Sequence, residues 1–278
     1  MRVTESFTYK DVLGYKFGYH PYAEPNLFTH IYFVDGLLID TGQSRMSDAI
    51  LNAVKGLPVK QILITHHHED HSGNIQRLRD HFQCPIYASS DCCEIMKSPP
   101  PISFAQWMVW GSRPGDHRLL PMEGGLDTQR FSFRLIPIPG HSPDMIALYE
   151  PNQKWLFSAD LYIHSYIGYF MKAESIATQI QSIRQILSLE IDVLFCSHSP
   201  QLTDGKGKLK KKLDFLEGFY RDVAELYRQG LSASEIFKSL KLKENWPIRV
   251  LSHGNLTKLN MVLSVIRDEQ HNTTGSAG

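Results

Sequence analysis

Residues Thr65 to Asn74 read THHHEDHSGN, with His or an acid at each of the six positions from His66 to His71. Neutral imidazoles and ionised carboxylates are the ordinary ligands of a divalent transition ion, provided their lone pairs converge at about 2.0–2.2 Å from it. An extended segment turns alternate side chains to one side, so His66 and His68 can share a point while His67 faces away. Asp70 and His71, where the chain bends into a helix, can reach a second point nearby. Isolated loop histidines do nothing catalytic as a rule. Here, without a cation, gathering these groups would gain little and would bring repulsion once the rings protonate. The run is internal, short and broken by acids, so it is no purification tag. It reads as a metal site.

A site of this kind must be held by elements that bring distant ligands together. Gln61 to Thr65 (QILIT) is a compact apolar strand that runs straight into the cluster. Ile75, Leu78 and Phe82 then recur at helical spacing, which places the cluster between a strand end and a helix start. Upstream, IYFV and LLID flank Asp35-Gly36, a hairpin turn signal, and Ser47 to Val54 reads as a short helix. Downstream come further apolar runs: PIYA, FSFRLIPIP, MIALYEP, KWLFSA, a helix around Ile176, Ile180, Ile183 and Leu187, and DVLFC. PIPGHSPD, SADLY and CSHSP each put a His or Asp just past such a run. Strands interleaved with helices predict an α/β layered fold with sites at converging strand ends.

From Leu209 the texture changes. Leu213, Leu216, Tyr220, Val223 and Tyr227 mark one face of a long helix, GLSASEIFKSL a second with Ser232 or Ser234 as its cap, and Leu256 to Ile266 a third. We expect a catalytic domain over 1–204, a helical or winged-helix-like region over 205–270, and a frayed tail over 271–278. Charge is balanced, with 29 basic and 29 acidic side chains, so no global field favours nucleic acid or anionic membranes. The balance is uneven: acids exceed bases up to residue 204 and bases exceed acids beyond it, partly through KGKLKKKL at Lys206 to Leu213. Cys84, Cys92, Cys93 and Cys196 form no CxxC pair, which predicts neither a disulfide framework nor a cysteine zinc site. The first residues lack the apolar core of a signal peptide, and no stretch approaches transmembrane length. A cytoplasmic protein is expected, with no membrane partner.

Taken in order, these motifs resemble the metallo-β-lactamase superfamily over roughly Asn26 to Pro200. FVDGLLIDTG looks like the family's entry hairpin, with Asp40 and Gly42 beside the site; THHHEDHSGN matches its signature, and PGHSPD, SAD and CSHSP its later ligand motifs. The resemblance implies an αββα sandwich with a metal centre at one edge. It implies that His66, His68 and His141 hold one ion, that Asp70, His71 and His198 hold a second, and that Asp160 bridges both. Relatives commonly carry Gly before the bridging Asp and before the last His, where this chain has Ala159 and Ser197. Both are small, so backbone adjustment without loss of ligands is expected. Cys196 beside His198 could suggest a Cys–His nucleophile, but it ends a buried apolar run and reads as structural.

Two divalent ions would lower the pKa of a bridging water to about 7, and Asp70, with Asp160 the catalytic carboxylates of this reading, would orient the resulting hydroxide. Zinc is the first choice because nitrogen ligands dominate, although iron or manganese can occupy such sites. The aromatic- and proline-rich stretch from Lys97 to His117 reads as an irregular lid whose Trp107, Met108 and Trp110 wall an apolar pocket. LYIHSYIGYF adds Tyr162, His164 and Tyr166 as candidate substrate contacts. Together these features predict a dinuclear hydrolase acting on a small ester, lactone or thioester. The alternative is a metal-dependent endoribonuclease, because the C-terminal stretch resembles the tail of β-lactamase-like endoribonucleases and KGKLKKKL could contact phosphates. Flavodiiron-type oxidoreductases resemble H-x-E-x-D-H, and His68 stands where they carry Glu. Dimers are common in the family, so a homodimer is also implied.

Overall fold

The computed structural model describes residues 1–275. A first sheet follows chain order: β1 (Arg2–Tyr9), β2 (Val12–Tyr19), β3 (Phe28–Val34), β4 (Leu37–Ile39), β5 (Gln61–Ile64), β6 (Ile86–Ala88) and β7 (Leu120–Pro121). β1 to β4 form an antiparallel meander. From β4 onward the strands are parallel. The crossovers carry α1 (Ser47–Val54), α2 (Glu69–Ser72), α3 (Ile75–Phe82), α4 (Ser90–Lys97) and α5 (Phe104–Val109). The second sheet comprises β8 (Gly125–Asp127), β9 (Ser132–Pro137), β10 (Ile146–Glu150), β11 (Trp155–Ala159) and, after the two-residue β12 (Phe170–Met171) and α6 (Ile176–Leu187), β13 (Val193–Cys196). Its order is β13-β11-β10-β9-β8, with β11 and β13 parallel.

Side-chain parity decides the layers. On β3 and β5, Ile31, Phe33, Ile62 and Ile64 face α1, α3 and α4, while Tyr32, Val34 and Leu63 face the other sheet. On the second sheet, Phe157, Val193 and Phe195 fill the space between sheets, and Leu156, Leu194 and Cys196 face outward under helices. Buried on both faces, these strands read as continuous apolar runs. The result is the αββα sandwich. The outer helices of the second sheet are α6 and the C-terminal group α7 (Gly205–Arg228), α8 (Ala233–Ser239), α9 (Trp246–Leu251) and α10 (Lys258–Gly275). Leu209, Leu216, Val223, Ile236, Val262 and Val265 share one core with Leu156 and Leu194, so this group packs directly on the sheet. β14 (Leu256–Thr257) pairs with β12, a second tie between the C-terminal group and the first two hundred residues.

The Asp35-Gly36 turn has positive φ at both residues, 46° and 86°, as a tight two-residue hairpin requires. The stretch expected to be irregular, Lys97 to His117, contains α5. Its Ser103 and Gln106 form a complete capping box, a signal already present in the S-x-x-Q spacing. The expected tail at 271–278 is helical to Gly275, and residues 276–278 lie outside the described residues. Among the described residues no helix is long and apolar enough to cross a membrane.

Candidate metal centre

Four chain segments end at one edge of the sandwich. β5 exits into Thr65 and the histidine run, with His68 as the N-cap of α2 in extended conformation (φ −61°, ψ 152°). The loop between β9 and β10 carries His141, β11 exits into Asp160, and β13 exits into His198. β11 is bulged between Phe157 and Ala159, and Ala159 has a left-handed φ of 44°. The bulge and the left-handed residue swing the chain so that Asp160 is brought in among the histidines, a use to which bulges are commonly put beside functional sites. Ala159 thus takes a conformation that suits Gly better than an L-residue.

The side chains converge in two groups, His66, His68 and His141 in one and Asp70, His71, Asp160 and His198 in the other, with ligand atoms in each group within 4.8 Å of one another. His68 Nδ1 lies 3.1 Å from both His66 Nε2 and His141 Nε2. Asp160 sits between the groups: its Oδ2 is 3.3 Å from His141 Nε2 and 3.2 Å from His198 Nε2, and its Oδ1 is 3.4 Å from His71 Nε2. Asp70 Oδ2 is 3.5 Å from His198 Nε2 and 3.7 Å from His71 Nε2.

The donor set fits a cation. Nitrogens each about 2.0–2.1 Å from one tetrahedral ion stand about 3.3 Å apart, close to the spacing in the histidine trio. His71 Nε2 and Asp160 Oδ1 are fully buried and have no hydrogen-bond partner. A buried polar atom in that state costs about 1–3 kcal/mol, which coordination would relieve. The far side of the rings is tied down. His71 Nδ1 is 2.8 Å from Asp40 Oδ2, His141 Nδ1 is 3.2 Å from Glu174 Oε2, and His198 Nδ1 is 2.7 Å from the Phe28 carbonyl. Such outer partners fix the ring and the tautomer that a ligand needs. Asp40, itself left-handed at φ 65°, also accepts from the Thr65 amide and hydroxyl. His67 faces away and binds Asp144 through both its amide and Nδ1, locking the loop after β9 to the loop after β5.

Electrostatics divide the cluster. Burial, reinforced by neighbouring histidines, holds His66 and His68 well below the ordinary imidazole range, in the neutral ligating form. Burial would also push His71 and His198 down, but the nearby carboxylates, chiefly Asp70 and Asp160 respectively, outweigh it and hold both up. The same contest raises His141 to about 10, with Glu174 the strongest upward influence. Burial opposes ionisation of Asp160, yet His198 and His71 hold its carboxyl well below the ordinary range.

Of the other residues expected at the site, Trp110, His164 and Tyr166 line a cavity that opens on the cluster. Trp107 is not among its lining: the indole stacks on Phe104 and carries the Arg45 guanidinium 4.2 Å above its face. Tyr162 is buried, its hydroxyl 3.1 Å from Ser165 Oγ. Burial raises the Cys196 thiol to about 12, which leaves a weak nucleophile. Of the five lysines in the basic run from Lys206, Lys210 and Lys211 are exposed and two are engaged within the fold. Lys206 donates to the Leu189 carbonyl and Glu190, and Lys212 is buried with its ammonium 2.7 Å from the Leu161 carbonyl. The roles of Glu174, Asp144 and Lys212 were not readable, since each acts on a residue more than thirty positions away.

A family model described as the metallo-beta-lactamase superfamily matches residues 25–198. A hydroxyacylglutathione hydrolase of Yersinia enterocolitica is 31% identical over 162 residues, 58% of this chain and 55% of that protein. One from Bdellovibrio bacteriovorus is 29% identical over 162 residues, 58% of this chain and 57% of its own length. The chain thus spans little more than half the length of these curated relatives. A metallo-beta-lactamase family protein of known structure from Thermus thermophilus superposes with a TM-score of 0.66 at 19% identity, over 92% of this chain and 94% of that one, a likeness of fold.

Proposed function

The chain belongs to the metallo-beta-lactamase superfamily, and on that premise we propose that it is a metal-dependent hydrolase of a small ester, lactone or thioester. The observation that carries the reading is Asp160 standing between two groups of ligand atoms, with one of its oxygens and His71 Nε2 buried 3.4 Å apart and neither hydrogen-bonded. His66, His68 and His141 would hold one divalent ion, Asp70, His71 and His198 a second, and Asp160 both. Zinc suits this nitrogen-rich set best. When bound, such ions supply a Lewis acid and a water acidified into the neutral range.

The chain's own groups do the rest. Asp70 reaches the second group from the start of α2 and lines the cavity, so it can accept a hydrogen bond from the attacking water and aim it at the carbonyl. Asp40, Glu174 and the Phe28 carbonyl hold His71, His141 and His198 in register, so little reorganisation is needed as charge develops. The lid and the segment after Asp160 wall the cavity beside the ligands, so a substrate lodged there would itself displace water from the carbonyl. Relatives named as hydroxyacylglutathione hydrolases support a thioester among the candidate bonds. An endoribonuclease finds less support, because two of the five lysines in the basic run, Lys206 and Lys212, are engaged within the fold.

The test is a panel of thioesters, esters and lactones run beside single-stranded RNA on metal-loaded protein. Acyl substrates should be cleaved, and His68→Ala and Asp160→Ala should lose bound metal and drop hydrolysis by more than about a thousandfold. RNA cleaved in a metal-dependent way with every acyl substrate untouched would overturn the reading.

A further inference from the structure

The cavity beside the cluster measures about 610 Å³, within the usual range for a small-molecule site. His68, Asp70, His141, Asp160 and His198 form one end. The walls come from widely separated parts of the chain and include Met108 and Trp110 at the lid helix α5, Ile163 and Ile167 after Asp160, and Ile248 and Leu251 on α9. The family match stops at residue 198, so the α9 wall lies outside what that likeness reports, and the substrate of a relative does not transfer through it.

The charges on the walls point one way. Among the described residues lining the cavity there is no arginine, and Lys212 is the one lysine. Its ammonium is engaged with the Leu161 carbonyl and faces the carboxylates of Glu174 and Asp160. Beyond the ligand cluster the other acids exposed to the cavity are Glu69 and Glu174. A carrier with carboxylates at both ends, as in glutathione, would find no free cation on the walls to pair with. An apolar chain or ring would instead bury its surface against the six wall residues.

We propose that this site selects acyl substrates by an extended apolar or ring-bearing acyl group lodged between α5 and α9, and that Met108, Trp110, Ile248 and Leu251 set that preference. The proposal rests on the hydrolase reading above. It places the acyl carbon at the ligand end, the apolar tail along the walls, and the leaving group toward the open side.

The experiment has two arms. In the first, kcat/KM is measured on metal-loaded protein for acetyl to dodecanoyl thioesters of N-acetylcysteamine, a small neutral thiol, with S-lactoylglutathione as comparator. It should rise about three- to fourfold per methylene until the cavity is filled, and S-lactoylglutathione should be poorer than the decanoyl compound. In the second, binding of decanamide, a neutral ten-carbon probe, is followed by Trp fluorescence and calorimetry on protein without added metal. Binding should be saturable and at least about tenfold weaker in Leu251→Gln, a rim position, and in Ile248→Asn. Equal rates across chain lengths, preference for S-lactoylglutathione, or decanamide binding absent or unaffected in both variants would overturn the proposal. Decanamide bound as expected, with no acyl bond of any kind cleaved, would instead overturn the hydrolase reading, and the substrate assignment with it.

Discussion

The ligand edge and the cavity wall meet at the same mouth but are built on opposite plans. At the edge, His71, His141 and His198 are each gripped a second time, by Asp40, Glu174 and the Phe28 carbonyl, and the strands that deliver the ligands are buried on both faces. Along the wall, side chains from α5, the 163–167 segment and α9 contribute shape and apolar surface. Several rim residues are well exposed, among them Leu251 at 44% and Tyr166 at 66%. Buried polar atoms must be satisfied geometrically, so the edge tolerates little change. Apolar wall contacts are additive and forgiving. One fold can therefore keep its chemistry at the edge while its substrate drifts at the wall.

The sharpest way to break this contrast is to loosen one outer partner and one wall residue and compare their effects on metal affinity. Glu174 Oε2 meets His141 Nδ1 and also accepts from Gln179, while Oε1 accepts from the Met171 amide. Glu174→Gln should weaken metal binding by about 10–100-fold, measured by competition with a chromogenic chelator. Leu251→Glu should leave the same constant within about twofold, as a surface substitution that touches no ligand. Equal losses in both would mean that the wall and the edge are one rigid unit.

The difference also explains what could be read from the sequence. The edge was legible because each ligand follows an apolar run at the end of a buried strand, and four of the seven stand within six residues. The sandwich was legible for the same reason. The cavity was legible only in part: Met108, Trp110, His164 and Tyr166 stood out in their aromatic stretches, whereas Ile163, Ile167, Ile248 and Leu251 are indistinguishable in sequence from core. Trp107 and Met108 are neighbours on α5, yet only Met108 lines the cavity, since Trp107 is spent on Arg45 and Phe104. β1 and β2 carried no legible pattern either: β1 is exposed or half-buried throughout, so its apolar alternation is weak.

Lys212 is the seam between the two regions, a C-terminal lysine whose ammonium bonds the carbonyl next to Asp160. Burial lowers its pKa to about 8, against an ordinary amine value near 10.4. The folded chain therefore binds fewer protons than the unfolded chain between those values, and stability rises with pH across that window. The rise amounts to as much as about 3 kcal/mol. Below about pH 8 the buried charge opposes folding in full. Lys212→Met should remove this slope, seen as the difference between wild-type and variant urea-unfolding free energies from pH 7.5 to 10.5. Loss of the bond to Leu161 shifts the variant by a constant and leaves the slope diagnostic. Parallel curves would mean that water reaches the ammonium and that the seam is open.

The smallest effect is expected at Ala159, where the edge asks a non-glycine residue to take a left-handed backbone. A left-handed backbone costs an L-residue about 1–2 kcal/mol, which Ala159→Gly would recover. Glycine adds about 0.4–1 kcal/mol of unfolded-chain entropy, and removing a methyl that is 2% exposed forfeits about 0.8 kcal/mol. These nearly cancel, so Ala159→Gly should change stability by less than about 1 kcal/mol, which is why alanine can stand there. Ala159→Val has no such offset: a β-branched side chain at φ 44° clashes with its own backbone. It should destabilise by more than about 2 kcal/mol and weaken metal binding through Asp160. If valine is as well tolerated as glycine in denaturant unfolding, the backbone at the end of β11 is not left-handed, and Asp160 is aimed by something other than the bulge.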